Sequence, residues 1–232
     1  MFGLFSGSIT QADLIQFLVR LLIIFLILPL HEYAHAWTAY KLGDDTANYQ
    51  GRMTLNPIAH LDLAGAVCLM LFGFGWAKPV PIDPSRFSRK HSIRFGVAIT
   101  ALAGPVSNLI AALVGMNLMQ IYQLTDVYQQ ANTGEMTPAY VVWLMLDYFI
   151  DINIGLAVFN LIPIPPLDGS KVLGYFTSAK VDEWFRRNYQ VVRIVFLVIL
   201  ITGVLSIPLG FLSNLIYMLF SLITSWIPLI FG

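Results

Sequence analysis

Two histidines and a glutamate lie at the end of a strongly apolar run. The stretch "LPLHEYAHAW" places His31 and His35 four residues apart, with Glu32 next to the first histidine. Side chains four residues apart share one face of an α-helix, so both imidazoles can reach a single tetrahedral metal ion. A carboxylate beside them can take up a proton, and this spacing is typical of zinc metalloproteases.

An interfacial helix is the alternative interpretation of the same stretch. The apolar run would then end at Leu30, and Trp37 and Tyr40 would be aromatic anchors at the membrane surface. Spacing alone does not separate the two interpretations, but a third metal ligand would. The metal site is favoured because ionisable groups near the centre of a bilayer cost about 2.5 to 3.5 kcal/mol and usually serve a function.

The composition is that of a membrane protein. The chain has 232 residues, of which 57% are hydrophobic and 11% charged, whereas soluble domains carry about 25% charged residues. The net charge is zero and no long basic tract is present, which argues against a nucleic-acid partner. Five apolar runs approach the ~20 residues that a helix needs to cross a bilayer: residues 14–30, 95–122, 140–162, 191–209 and 211–231.

Several residues could complete a metal site with the two histidines: Asp44, Asp45, His60, Asp62, His91 and Asp168. Asp44 and Asp45 follow Gly43 and are expected to form a turn. Asp168 is favoured because it ends "NLIPIPPLD", whose three prolines must break a helix. Irregular backbone at membrane depth is tolerated only where protein buries it or where it lines a watered cavity.

Five motifs together resemble the site-2 protease family of intramembrane zinc metalloproteases (peptidase M50), in its compact form without PDZ or CBS domains. In chain order they are "HEYAHAW", "GRMTLNPIAHLD", "WAKPVPID", "AGPVSN" and "NLIPIPPLDG", and the resemblance covers roughly residues 14–177. Gly104, Pro105 and Asn108 match the family's GPxxN, on a helix that packs beside the metal. Leu63 departs from the pattern, because relatives commonly carry proline after "HLD", and this leaves the local loop shape open.

The resemblance implies an intramembrane endopeptidase that hydrolyses peptide bonds within or near transmembrane segments of membrane proteins. His31, His35 and Asp168 would bind one zinc ion per chain. Glu32 would act as general base towards a zinc-activated water. Asn160 looks like the family's asparagine that helps to hold the substrate or the oxyanion.

The distribution of basic residues predicts the orientation of the chain. Lys and Arg cluster in residues 78–94 and 171–193, whereas residues 123–139 contain two acidic residues and no basic one. Basic loops tend to stay cytoplasmic, so the acidic loop should face outward and the metal site should lie near the cytoplasmic side. The first helix must also end there, and the glycine-broken run 61–76 would then re-enter the membrane without crossing it.

The expected fold is an all-α polytopic membrane bundle of about five to six transmembrane helices, five of them spanning in the topology above, with one re-entrant element. Residues 1–232 would form a single membrane-embedded metalloprotease domain, with a catalytic core at about 14–177 and C-terminal helices at about 191–231. The stretch "NYQGRMTL", residues 48–55, could supply a short β-hairpin at the membrane edge that binds an unwound substrate. An ordinary polar connection is an equally good interpretation of this stretch.

A buried ion pair is a further hypothesis. Arg20 lies about 16 Å from His31 along a helix, and Asp151 lies about 13 Å from Asn160 along another, so their depths nearly match. Arg20 would pair with Asp151 or with Asp147. Alternatively, Arg20 extends to the membrane surface and the aspartates lie at the outer interface.

Two other functions are compatible with the sequence. Intramembrane Asp147, Asp151 and Asp168 together with broken helices also suit a transporter or ion pathway. The second compatible function is that of a catalytically inactive relative that only binds membrane helices. The expected partners are a transmembrane protein substrate and the lipid bilayer, with a prokaryotic inner membrane as the default location. The sequence specifies neither the oligomeric state nor the substrate.

Overall fold

The computed structural model describes residues 10–65, 77–131 and 136–231, and these form helices joined by short loops. In chain order the helices are α1 (Gln11–Lys41), α2 (Thr46–Tyr49), α3 (Pro57–His60), α4 (Ile93–Gln123), α5 (Asp126–Ala131), α6 (Pro138–Asn160), α7 (Asp168–Phe176), α8 (Ala179–Arg187), α9 (Tyr189–Thr202), α10 (Ser206–Thr224) and α11 (Trp226–Phe231).

Within the described part of the chain, four segments are long and apolar enough to cross a membrane. They are nearly all of α1, the whole of α4 and α6, and the segment Ser206–Phe231, which comprises α10 and α11. The protein is therefore an integral, polytopic, all-helical membrane protein. This confirms the fold class expected from composition at its coarse level.

The predicted span over residues 191–209 is not one continuous helix. Helix α9 has 14 residues, or about 21 Å at 1.5 Å per residue, which is short of a ~30 Å bilayer core. Gly203 then adopts the left-handed conformation at φ 72°, which ends the helix before α10 begins. The prediction of a fifth spanning helix over these residues is therefore not confirmed. Most of the predicted re-entrant element, residues 66–76, lies outside the described residues.

The hairpin predicted over residues 48–55 is also wrong. Thr46–Tyr49 form the short helix α2, and the described ranges contain no β-strand. The physical reason is Asp44, whose Oδ1 accepts hydrogen bonds from the Thr46 amide at 3.0 Å and the Thr46 hydroxyl at 2.5 Å. This local side-chain turn, which begins one residue before the N-cap Asp45, competes with an extended strand. Asp44 thus forms the turn expected after Gly43, which adopts φ 108°.

Helix α4 is the centre of the bundle and packs against α1, α6 and α7. One core cluster lies between α4, α6 and α10, and includes Met116, Ile150 and Phe220. Another lies between α1 and α6, and includes Ile23 and Leu144. This packing holds the C-terminal end of α1 against the N-terminal parts of α4 and α7.

The proposed ion pair of Arg20 is absent, although Arg20 and both aspartates belong to the described residues. The Arg20 guanidinium instead lies over the ring of Tyr148, with its central carbon 4.4 Å from the ring centroid. The aromatic face attracts a cation without requiring a second charge at membrane depth. A cation–π contact thus replaces the ion pair expected from matching depths.

We expect Arg20 and Tyr148 to be energetically coupled. In a double-mutant cycle of Arg20→Met and Tyr148→Leu, the free energies of unfolding should be non-additive by about 0.5 to 2 kcal/mol, the range between water-exposed and desolvated cation–π pairs. The matched cycle of Arg20→Met and Asp151→Asn should be additive. Additivity in the first cycle and coupling in the second would restore the ion pair and contradict the cation–π contact.

Candidate metal centre

Three side chains from two helices converge at one buried point. His31 and His35 lie one turn apart on α1, and Asp168 is the first residue of α7. The Nε2 atoms of the histidines are 3.0 Å apart, and Asp168 Oδ2 lies 3.3 Å from the first and 3.1 Å from the second. All three residues are buried, and their donor atoms form a candidate metal site.

The hydrogen-bond partner of Nδ1 determines which nitrogen of each imidazole carries the proton. His35 Nδ1 lies 2.7 Å from the backbone carbonyl of Thr100, which can only accept. His31 Nδ1 lies 2.5 Å from the side-chain oxygen of Asn108. If both Nδ1 atoms donate, each neutral imidazole presents a lone pair at Nε2. Two nitrogen lone pairs and a carboxylate oxygen then face one another, and a cation is what such a site requires.

The dimensions of this triad fit a tetrahedral zinc site. Ligands at 2.0–2.1 Å from zinc are separated by about 3.3 to 3.4 Å in a regular tetrahedron, and the observed separations are 3.0 to 3.3 Å. Gly104 on α4 leaves room for the triad: a Cβ there would lie 2.6 Å from His31 Nε2 and would also contact His35 Nε2. Burial, donor chemistry and spacing therefore all suit a divalent metal.

Lys171 holds the other oxygen of Asp168. Its Nζ lies 3.0 Å from Asp168 Oδ1, which leaves Oδ2 for the histidines. Burial raises the pKa of Asp168, but in the metal-free site the hydrogen bonds that His31 and His35 donate when they carry a proton at Nε2, and the charge of Lys171, outweigh burial and hold the pKa of the carboxyl well below its usual value. A bound metal ion would replace that proton between the imidazoles and the carboxylate.

Glu32 is half-buried on α1 and makes a contact outside the helix bundle. Its Oε2 accepts a hydrogen bond from the backbone amide of Val80 at 2.9 Å. This amide belongs to the extended residues 78–83, which we call the strap. The position of the glutamate carboxylate therefore depends on how the strap is held.

The strap is tied at both ends. At its start, Arg52 Nη2 donates to the carbonyls of Lys78 at 2.6 Å and Pro79 at 3.2 Å, and the Lys78 amide donates to the carbonyl of His60 at 2.9 Å. At its end, the Asp83 amide donates to Asp44 Oδ2 at 2.7 Å. His60 and Asp44, which the sequence offered as metal ligands, thus brace the strap and lie outside the triad.

A cavity of about 240 Å³ adjoins the triad. Its walls come from the strap and the following turn, from α4 and from α7, and it is lined by His35, Val80, Ile82, Pro84, Val97, Thr100, Ala101 and Lys171. Most of these side chains are apolar, with one histidine and one lysine at the edge nearest Asp168. The cavity can accept an apolar group directly beside the candidate metal position.

Asn160 does not hydrogen-bond to the triad. It is half-buried at the last position of α6, and its amide nitrogen donates to the carbonyl of Leu156 at 3.0 Å. Its role towards the substrate stays a prediction. Sequence reasoning missed Thr100, Lys171 and Arg52, because their contributions depend on backbone contacts between distant segments.

Known proteins resemble this chain over most of its length. The model of peptidase family M50 matches residues 19–203. A Bacillus subtilis (strain 168) protein named "Putative zinc metalloprotease YwhC" is 40% identical, over 85% of this chain and 84% of that relative. Proteins named "Putative zinc metalloprotease Rip2" are 27% identical in Mycolicibacterium smegmatis, over 77% of this chain and 65% of the relative, and 25% identical in Mycobacterium tuberculosis (strain H37Rv), over 84% and 70%. No solved structure matches significantly.

A buried cluster of side chains that could hold a metal ion, inside a membrane bundle, fits a membrane metalloprotein. The chain belongs to peptidase family M50. It is a zinc-dependent hydrolase of the metalloprotease class, which confirms the family resemblance seen in the motifs and sets the transporter interpretation aside.

Gly104→Ala should weaken zinc binding, because the added methyl group would overlap the two imidazoles. Overpacking of this kind costs about 1 to 3 kcal/mol, equivalent to an affinity about 5- to 150-fold lower. The measurement is zinc affinity by competition with a chromogenic chelator. The control is Gly155→Ala on α6, where a Cβ would meet no atom within 4 Å. Equal affinities for both variants would show that the triad does not need the space at Gly104.

Arg52→Met should loosen the strap. The variant removes two hydrogen bonds from a charged group, each worth about 1.5 to 3 kcal/mol, so amides of the strap should exchange with deuterium at least about 10-fold faster. Hydrogen exchange with mass spectrometry reports on residues 78–83 directly. The control is Arg86→Met, which removes a half-exposed arginine 3.7 Å from Asp83. Unchanged exchange in Arg52→Met would mean that other contacts hold the strap.

Proposed function

We propose that this protein is an intramembrane zinc endopeptidase that hydrolyses peptide bonds within or near transmembrane segments of membrane proteins. The supporting observation is that two imidazole nitrogens and a carboxylate oxygen lie close together in a buried site at one end of a membrane-spanning bundle. Such a site combines metal-binding side chains with direct access to apolar segments.

His31, His35 and Asp168 would hold one zinc ion per chain. Zinc, when bound, supplies a Lewis acid that acidifies a water molecule and polarises the scissile carbonyl. Each protein ligand is already held by a second contact: Thr100 for His35, Asn108 for His31 and Lys171 for Asp168. This arrangement lowers the cost of organising the site around the ion.

Glu32 would be the general base. Its Oε2 accepts a hydrogen bond from the Val80 amide, which orients the carboxylate. The other oxygen would then take the proton of the attacking water. The same group would then deliver that proton to the leaving amine. Asn160 would hold the substrate or the oxyanion, which requires its amide to leave the Leu156 carbonyl.

The cavity beside His35 would receive the substrate. An α-helical substrate keeps its carbonyls in its own hydrogen bonds, so a short stretch must unwind before attack. Val80 and Ile82 of the strap and Val97 of α4 supply apolar walls for side chains of such a stretch. The substrate class that fits this lining is an apolar, locally unwound membrane segment.

The topology forms part of the same proposal. Residues 1–232 would be a single membrane-embedded domain, with the core at about 14–177 and the C-terminal helices at about 191–231. The site would face the cytoplasmic side of a prokaryotic inner membrane, because the basic residues cluster at that end of the helices. Arg94 at the start of α4 supports this grouping, since it donates to the Thr177 carbonyl and pairs with Asp182 on α8.

Metal content and cleavage of a model transmembrane substrate, measured on the same samples, test the proposal. Wild type should contain about one zinc per chain and cleave the substrate. Asp168→Ala should lose both zinc and activity, because two histidines alone form a weak site. Glu32→Gln should keep zinc and lose activity by about 100-fold or more, because the general base is gone. Asp126→Ala, an exposed acid at the opposite end of α4, should match wild type.

Three results would contradict parts of the proposal. A wild type that neither retains nor rebinds zinc would remove the metal site. A Glu32→Gln variant with full activity would leave the metal site intact but reject Glu32 as the base. Cleavage of unfolded soluble peptides and not of membrane segments would reject the proposed substrate class.

A further inference from the structure

Two asparagines lie fully buried between membrane-spanning helices. Asn108 on α4 and Asn153 on α6 are both 0% exposed. A buried amide at membrane depth is costly unless its polar atoms find hydrogen-bond partners. The amide groups of both residues do so in one continuous chain that begins at a backbone carbonyl and ends at a metal-binding histidine.

The chain of hydrogen bonds has a fixed direction. The backbone carbonyl of Phe149 can only accept, so Asn153 Nδ2 must donate to it, at 2.8 Å. The Asn153 oxygen is then left to accept from Asn108 Nδ2, at 2.8 Å. The Asn108 oxygen in turn faces His31 Nδ1 at 2.5 Å, and this nitrogen must therefore be the donor.

We propose that Asn153 and Asn108 are positioning residues for the metal centre: this asparagine relay fixes the tautomer and the ring direction of His31, so that its Nε2 lone pair points at the metal. The inference rests on the metal site of the proposed function. It assigns a role to Asn153, which touches neither the triad nor the cavity, and explains why Asn108 is oriented as it is.

The opposite orientation of Asn108 would defeat metal binding. A flipped amide would present its NH₂ group to His31 Nδ1, which would move the imidazole proton to Nε2 and remove the metal-binding lone pair. The flip would also set the Asn108 oxygen against the Asn153 oxygen. The tautomer change at His31 would satisfy its contact with the flipped amide, so the buried oxygen–oxygen mismatch is what opposes the flip, and Asn153 is the residue that creates it.

The two histidines depend on different kinds of partner. His35 Nδ1 is held by the Thr100 carbonyl, which no substitution of a side chain removes. His31 Nδ1 is held only through side chains within the described network, and the last of them is anchored on a third helix. The relay thus connects α1, α4 and α6, and the effect of Asn153 should be seen at His31.

The experiment compares zinc affinity in wild type, Asn153→Leu and Asn153→Ala, by chelator competition on purified full-length protein. Second contacts of metal ligands typically contribute 10- to 100-fold in affinity, and Asn153 acts one contact further out through Asn108, so each variant should bind zinc up to about 10-fold more weakly. The control is Asn117→Leu on α4, whose amide donates to the Leu113 carbonyl of its own helix. This variant should bind zinc like wild type.

A double-mutant cycle separates the relay from a loss of packing. Asn153→Leu should lower zinc affinity little further in an Asn108→Leu background, because both substitutions break the same relay. Melting temperatures without metal report on folding independently, and the alanine variant replaces the leucine variant if the latter does not fold.

The possible outcomes distinguish the relay from the metal site itself. Wild-type affinity in a folded Asn153 variant, or additive effects in the cycle, would overturn the relay while leaving the zinc site intact. If wild type binds no zinc, the proposed function fails first, and the relay fails with it.

Discussion

The donor atoms of His31, His35 and Asp168 meet in a buried site, where they need a shared cation between them. A proton on an imidazole can serve in the free protein, and a metal ion can take its place. Gly104 opens the space that these side chains occupy, and Lys171 binds the carboxylate oxygen that the histidines do not contact. The resulting separations are close to the ligand spacing that tetrahedral zinc prefers.

The strap complements the rigid triad with a different kind of support. Pro79 and Pro81 have no amide proton, so the Val80 amide between them is available to Glu32. Arg52 anchors the strap through carbonyl oxygens, which lie outside the bundle core. The candidate metal ligands thus make their second contacts with helices, whereas the Glu32 carboxylate is held by the amide of a loop residue.

The sequence was informative where a single segment determines the chemistry. The spacing of "HEYAH" and the proline-rich break before Asp168 pointed to residues that the structure brings together. It was misleading where one residue overrides the average of a segment. Gly203 divides an apolar run long enough to span, and Asp44 forms a side-chain turn that leads into a short helix where a hairpin was predicted. Asn153 gave no usable signal, because a polar residue in an apolar helix marks a buried face without naming its partner.

A metal centre inside a membrane bundle cannot rely on bulk water to orient its ligands, so every orienting contact must come from the protein. Backbone carbonyls are the most dependable choice, since they accept and never donate. His35 uses one directly, and His31 reaches the Phe149 carbonyl through two neutral amides. A carboxylate in place of Asn108 would add a second negative charge beside Asp168 and could not donate to Asn153. Neutral asparagines can therefore set the donor and acceptor order of hydrogen bonds across three helices without adding a charge to the candidate metal site.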